Sequence, residues 1–157
     1  MTRFKDKAVL FCATGAGAGY VPYAPGTAGT LVGVPLSLAL NRYAEHNSLL
    51  AAALLLIAIV CAIKVSTAGA AIFKLKDPQT IVIDEIVGYM VANFALPFTW
   101  VVTLGSFLLF RFFDVVKIFP TKNLENLPGG AGIVLDDVMA GIYALIIARF
   151  LLKLGWA

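Results

Sequence analysis

The sequence predicts an all-α fold, a polytopic membrane helical bundle of about four to five short hydrophobic helices with a cytoplasm-facing acidic site, and three observations carry that prediction. The chain of 157 residues is 61% hydrophobic and 13% charged, with a mean hydropathy of +0.92, whereas soluble domains average about 25% charged residues. Long uncharged stretches, Ala8 to Asn41, Ser48 to Ile63 and Ile86 to Phe110, are broken by proline, glycine and short polar turns. Two segments 52 residues apart, IVIDEIVGYMVA (81–92) and IVLDDVMAGIYA (133–144), each place adjacent acids at the head of an uncharged, helix-like run. Such an internal repeat predicts two equivalent helices. Ionised acids are favoured near helix N-termini, and neighbouring side chains diverge by about 100°, so one acid of each pair can face a shared site.

Taken in order, the chain opens with Arg3, Lys5 and Lys7 ahead of a short apolar run and a Gly/Pro-rich segment, which is not a secretory signal pattern, so a retained N-terminus is expected. Residues 8–20, AVLFCATGAGAGY, resemble a strand entering a glycine-rich turn. A dinucleotide-binding loop starting at Gly15 would need glycine or alanine where Tyr20 stands, and no βαβ alternation follows, so a plain loop is expected. Pro25 and Gly26 punctuate the chain ahead of Thr27 and Thr30, either of which is a candidate N-cap for a helix over 31–40. A second helix is predicted at 48–63, followed by a polar loop over 64–80 with Lys64, Lys74, Lys76, Asp77 and Pro78. Pro97 divides the next uncharged run into helices at 82–96 and 98–114. A loop from Ile118 to Gly132, with Pro120, Lys122 and Pro128, then leads to a last helix at 136–154. These helices are shorter than the roughly 20 residues of an isolated span, which implies short or re-entrant elements in one domain, residues 1–157.

If the helices alternate, Arg3, Lys5, Lys7, Lys64, Lys74, Lys76, Arg111, Lys117 and Lys122 share one side, against Arg42, Arg149 and Lys153 on the other. The positive-inside rule makes the first side cytoplasmic, and all the acidic elements fall there. The net charge of +3 is slight and no arginine-rich tract or stacking motif is present, so no nucleic-acid partner is expected. Cys12 and Cys61 lie in apolar settings without metal-like spacing and are expected to be small buried hydrophobes. His46, the single histidine, falls in a polar turn and is assigned no role.

Carboxylates are costly in a bilayer, so Asp84, Glu85, Asp114, Asp136 and Asp137 are expected to converge in a wet pocket. Their mutual repulsion calls for a cation, and oxygen ligands without His or Cys favour Mg²⁺ or a similar hard ion. Lys117, Arg111, Lys122 and the helix start at Thr27 and Thr30 would form the anion-binding side, giving a metal-dependent phosphate site. Asp114 and Lys117 are three apart, which also suits a simple ion pair on one helix face. With one histidine, no Cys followed five residues later by Arg and no D-x-D opening a strand, no protein nucleophile is evident. Attack by water with one acid as general base is the simplest chemistry, and an aspartyl-phosphate at Asp84 or Asp136 stays open.

Four blocks, PYAPGTAGT (22–30), DPQTIVIDEIVG (77–88), FRFFDVVK with Pro120 (110–120) and GGAGIVLDDVMAG (129–141), resemble the phosphatidylglycerophosphatase A family in order and approximate spacing. The resemblance covers most of the chain. It implies an Mg²⁺-dependent lipid phosphatase of the bacterial inner membrane, acting on phosphatidylglycerophosphate in phospholipid biosynthesis. The family's motif acids fall on Asp84, Glu85, Asp114, Asp136 and Asp137, expected as metal ligands and, with Lys117, as catalytic groups. Pro25, Gly26, Thr27, Thr30, Arg111 and Lys122 are expected to bind substrate. Two positions depart from the pattern: Ile118 stands where a proline usually follows the lysine, and Thr30 replaces a serine but keeps a hydroxyl.

The competing reading is a small membrane transporter or channel with a repeated acidic cation site, since acids in membrane helices also mark ion pathways. Acids at helix starts beside basic loops favour the phosphatase; a transport site belongs at broken helix centres. A soluble helical phosphatase is disfavoured by the hydropathy.

Overall fold

Apolar runs that cannot hydrogen-bond through their side chains satisfy the backbone internally, and the chain does so with helices throughout. The computed structural model describes residues 4–156. It contains α1 (Phe4–Ala13), α2 (Pro25–His46), α3 (Ser48–Phe73), α4 (Ile83–Ala92), α5 (Trp100–Val116), α6 (Thr121–Leu124) and α7 (Gly130–Lys153), plus one 3-10 turn at Ala18–Tyr20, and no strand among the described residues. Arg3, counted above among the basic residues, lies outside that range. The all-α prediction holds, and α3 and α7 are long and apolar enough to cross a membrane. Along α3 a face of Leu50, Leu54, Leu56, Ile57 and Val60 is exposed, as expected of a helix whose neighbour is lipid.

Several bounds differ from expectation, each for a local reason. Residues 8–13 are helical rather than extended: a short apolar run does not distinguish strand from helix, and no strand partner exists among the described residues. The glycines that follow serve close approach, since a Cβ on Gly19 would overlap the Thr80 backbone and one on Gly15 would lie 2.9 Å from Ile86. α2 begins at Pro25, in the first helical position where a missing N–H costs nothing, with Ala24 as N-cap. Neither Thr27 nor Thr30 caps it; the buried Thr30 hydroxyl donates within the helix to the Gly26 carbonyl at 2.8 Å. α3 runs through the expected loop to Phe73, carrying Lys64 with it, and ends at Lys74 in the left-handed region. α7 starts six residues before its acids, because the Thr67 hydroxyl on α3 accepts from Gly130 N–H at 2.8 Å and supplies the cap. The two acid-bearing helices are therefore not equivalent: α4 has 10 residues and α7 has 24.

α4 packs against α2, α3, α5 and α7, and α7 against α3, α4, α5 and α6. Tyr89 and Phe110, both fully buried, form the centre of the core with Ala140 and Ala144. The α4–α7 crossing is close because both helices present glycine. A Cβ on Gly141 would overlap the Gly88 carbonyl, and one on Gly88 would lie 2.9 Å from the Asp137 carbonyl and 2.7 Å from the Phe110 ring. Beyond Ala92 the chain turns on a buried polar cluster. Asn41 donates to the Asn93 carbonyl at 2.8 Å and accepts from Ala95 N–H at 2.9 Å; Asn93 bonds Ser37 at 3.1 Å and Ser106 at 3.2 Å. Cys12 and Cys61, expected to be buried, are both exposed on an apolar groove among α1 to α4. In so hydrophobic a chain, apolar surroundings are as common outside as in.

Candidate active site

A cavity of about 380 Å³ opens where the first turns of α2 and α4, the last turn of α5 and the second turn of α7 meet, at the opposite end of α4 from the Asn41 cluster. Its wall includes Pro25, Gly26 and Thr27 from α2, Asp84 and Glu85 from α4, Arg111 and Asp114 from α5, Lys117 from the α5 C-cap, and Asp136 and Asp137 from α7. All five expected acids are thus brought together, and both members of each pair reach the cavity.

Their partners divide them. Asp84, Glu85 and Asp137 each offer an oxygen within 4.8 Å of the other two. On each of them one buried oxygen, Asp84 Oδ1, Glu85 Oε2 and Asp137 Oδ2, has no hydrogen-bond partner. Two buried carboxylates and one half-buried one at this separation repel one another and leave buried lone pairs unpaired, so the donor set fits a metal ion. The other two acids hold cations of the protein. Arg111 pairs with Asp114 one helical turn on, and Lys117 bridges Glu125 and Asp136, the latter at 3.0 Å. Asp136 Oδ1 also accepts from the Asp137 N–H at 3.0 Å, so both its oxygens are engaged. Asp114 and Lys117 do not pair with each other despite their spacing, because Lys117 has φ 48° and leaves the helix line. Burial alone would lower the Lys117 pKa, but the hydrogen bonds and charges of Glu125 and Asp136 outweigh it and hold the ammonium above the ordinary lysine value.

Gly26 is needed for this approach, since a Cβ there would overlap Glu85 Oε1 and lie 3.2 Å from the Arg111 guanidinium. The α2 N-terminus, with its unpaired N–H groups, is thereby pressed against the acids. Two expected residues are not on the wall. Thr30 is sealed inside α2, and Lys122 is exposed on α6. Asp77 and Gln79 also line the cavity, and Glu125 is the partner of Lys117, three residues absent from the expected site. The signal for the first two was the polar run Asp77 to Thr80 just ahead of the apolar start of α4; Glu125 sits in an aperiodic loop and gave none. His46 is exposed, its ring near the Arg42 carbonyl, well away from this wall.

The family model for Phosphatidylglycerophosphatase A matches residues 11–152. The chain belongs to the phosphatidylglycerophosphatase A family. The chain is 38% identical to a Phosphatidylglycerophosphatase A of Haemophilus influenzae over 137 residues, 86% of this chain and 83% of that one. It is 29% identical to a Phosphatidylglycerophosphatase A of Escherichia coli over 141 residues, 88% and 80% of the two chains. A Bacteroides thetaiotaomicron protein, provisionally named a phosphatidylinositol-3-phosphatase, is 36% identical over 140 residues, 85% and 87% of the two. No solved structure matches. Within the family match lie all the residues of the acidic cavity.

Proposed function

We propose that this chain, a single domain over residues 1–157, is a multi-pass enzyme of the bacterial inner membrane that hydrolyses phosphatidylglycerophosphate to phosphatidylglycerol and phosphate. The observation that carries the reading is the trio of carboxylates with buried, unpaired oxygens, set beside Arg111 and the α2 N-terminus in a chain of this family. Asp84, Glu85 and Asp137 would hold the metal. An all-carboxylate set suits Mg²⁺, which when bound offsets the trio's charge and polarises a phosphoryl oxygen.

The chain's own groups supply the rest. Arg111 and the Gly26 and Thr27 N–H groups receive the phosphate dianion, and Lys117 adds a fixed positive charge to the same wall. Asp136, with both oxygens occupied, orients Lys117 rather than attacking phosphorus. This favours water over an aspartyl-phosphate at Asp136. Asp114, oriented by Arg111, takes the proton of the attacking water as its oxygen bonds to phosphorus, and returns it to the glycerol oxygen as the P–O ester bond breaks. The excess of Lys and Arg in the segments on the cavity side favours a cytoplasmic site, where a lipid phosphate enters without flipping.

The Bacteroides relative favours a second substrate, phosphatidylinositol 3-phosphate, which offers the same phosphomonoester on a different polyol. The experiment is phosphate release by the purified protein from each lipid in mixed micelles, with EDTA and with added Mg²⁺. Turnover of phosphatidylglycerophosphate, lost with EDTA and restored by Mg²⁺, is expected. Turnover of the inositol lipid alone would replace the substrate, and full activity in EDTA would remove the metal from the trio.

A further inference from the structure

A second, smaller cavity of about 180 Å³ adjoins the first, and Asp77 and Ile133 stand in the walls of both. Its other wall residues include Lys76, Glu125, Leu127 and Gly132. The wall is fixed by a backbone approach: a Cβ on Gly132 would lie 2.5 Å from the Leu127 carbonyl and 2.9 Å from that of Glu125, so the 125–127 segment is pressed onto α7. Glu125 gives its charge to Lys117, which leaves Lys76 as the one cation of this wall, exposed and without an ion pair among the described residues.

We propose that this second cavity is the subsite for the remainder of the lipid headgroup, with the Lys76 ammonium holding the phosphodiester that links glycerol to diacylglycerol and Asp77 accepting the glycerol hydroxyl. The inference rests on the phosphatidylglycerophosphate reading. Once the terminal phosphate lies among the acids, the glycerol and the diester must leave through an adjoining opening, and Asp77 and Ile133, shared by the two cavities, mark where. The charges match: the dianionic monoester meets Arg111, Lys117 and the metal trio, whereas the monoanionic diester meets a single lysine. Asp77 repels a phosphate but suits a hydroxyl, so it keeps the two phosphates from exchanging places.

The test is Lys76→Gln, with Lys76→Arg as the restoring variant, read by steady-state kinetics on phosphatidylglycerophosphate and by competitive inhibition with inorganic phosphate. Lys76→Gln is expected to raise KM about tenfold with kcat within about twofold, and Lys76→Arg to return KM to the wild-type value. The Ki of inorganic phosphate, which has no diester, stays unchanged. Unaltered KM in Lys76→Gln overturns the subsite, as does an equal weakening of inorganic phosphate, which would put Lys76 at the first cavity. Wild-type protein that releases no phosphate from this lipid defeats the substrate reading instead, so the two failures are told apart.

Discussion

Gly88→Ala tests whether the α4–α7 crossing sets the geometry of the acidic site. The added methyl would lie 2.9 Å from the Asp137 carbonyl and 2.7 Å from the Phe110 ring, whereas ordinary contact begins at 3.4 Å, so α4 and α7 must part by about half an ångström or more. That displacement acts between Asp84 and Glu85 on one helix and Asp137 on the other, the three acids that must converge. Catalytic constellations tolerate about 0.5 Å, and an error of about 1 Å costs about 100-fold, so turnover is expected to fall about 10- to 100-fold with weakened Mg²⁺ dependence. Overpacking also destabilises by about 1–3 kcal/mol, which calls for a control. Gly105→Ala provides it, because that methyl would overlap the Trp156 ring in another part of the bundle and strain packing without touching the acids. Phosphate release and thermal melts of both variants decide the matter. A folded Gly88→Ala protein with wild-type turnover and Mg²⁺ response, or equal losses in both variants, would refute the reasoning.

Asp84→Asn and Asp137→Asn each remove a charge nearly isosterically, and should lower turnover by orders of magnitude while the metal-free protein melts no earlier than wild type, since repulsion within the trio is relieved. Loss of the Mg²⁺-induced rise in Tm checks that the lost function is metal binding. His46→Ala and Cys12→Ser, on exposed residues away from the cavity, should leave phosphate release unchanged. For sidedness, single cysteines at Asn47 and Asn126, both exposed, should label with an impermeant thiol reagent from the periplasm and only after membrane opening, respectively. Thr121, on the same segment as Asn126, is 1% exposed and unsuited to labelling. The reverse labelling pattern would put the site on the other face.

The helical class, the convergence of the acids and the Arg111 and Lys117 wall were legible because charge is so scarce in this chain that each carboxylate has to be accounted for. The division of labour among the acids was not. Asp84 and Asp136 occupy matching places in the repeat, yet one keeps an unpaired oxygen within the carboxylate trio and the other is tied to Lys117. That difference arises from the left-handed turn at Lys117 and from a loop glutamate 8 residues away, Glu125, neither of which has a periodic signature. Helix starts are hidden from the sequence where the cap comes from elsewhere in the fold: α7 borrows Thr67 from α3, a contact between residues 63 apart. Thr27 and Thr30 looked like caps for the opposite reason, since Pro25 begins the helix without any side-chain acceptor.

The short α4 also bears on how such a chain enters a bilayer. Its 10 residues rise about 15 Å, half of a hydrocarbon core of about 30 Å. If the chain spans the membrane as proposed, α4 stops at membrane depth, where the backbone groups of the turn that follows would go unpaired in lipid. Asn41 of α2 satisfies Asn93 and Ala95, and Ser106 of α5 meets the Asn93 side chain, so the partners come from one helix synthesised before α4 and one synthesised after it. In the membrane reading proposed here, α4 cannot partition into lipid alone as α3 can. It has to be sheltered until α5 emerges, and the acidic helix is released into the bilayer only as part of an assembled trio of segments. A single change at Asn41 would then register first as a defect of biogenesis, with chains degraded before any reach the substrate.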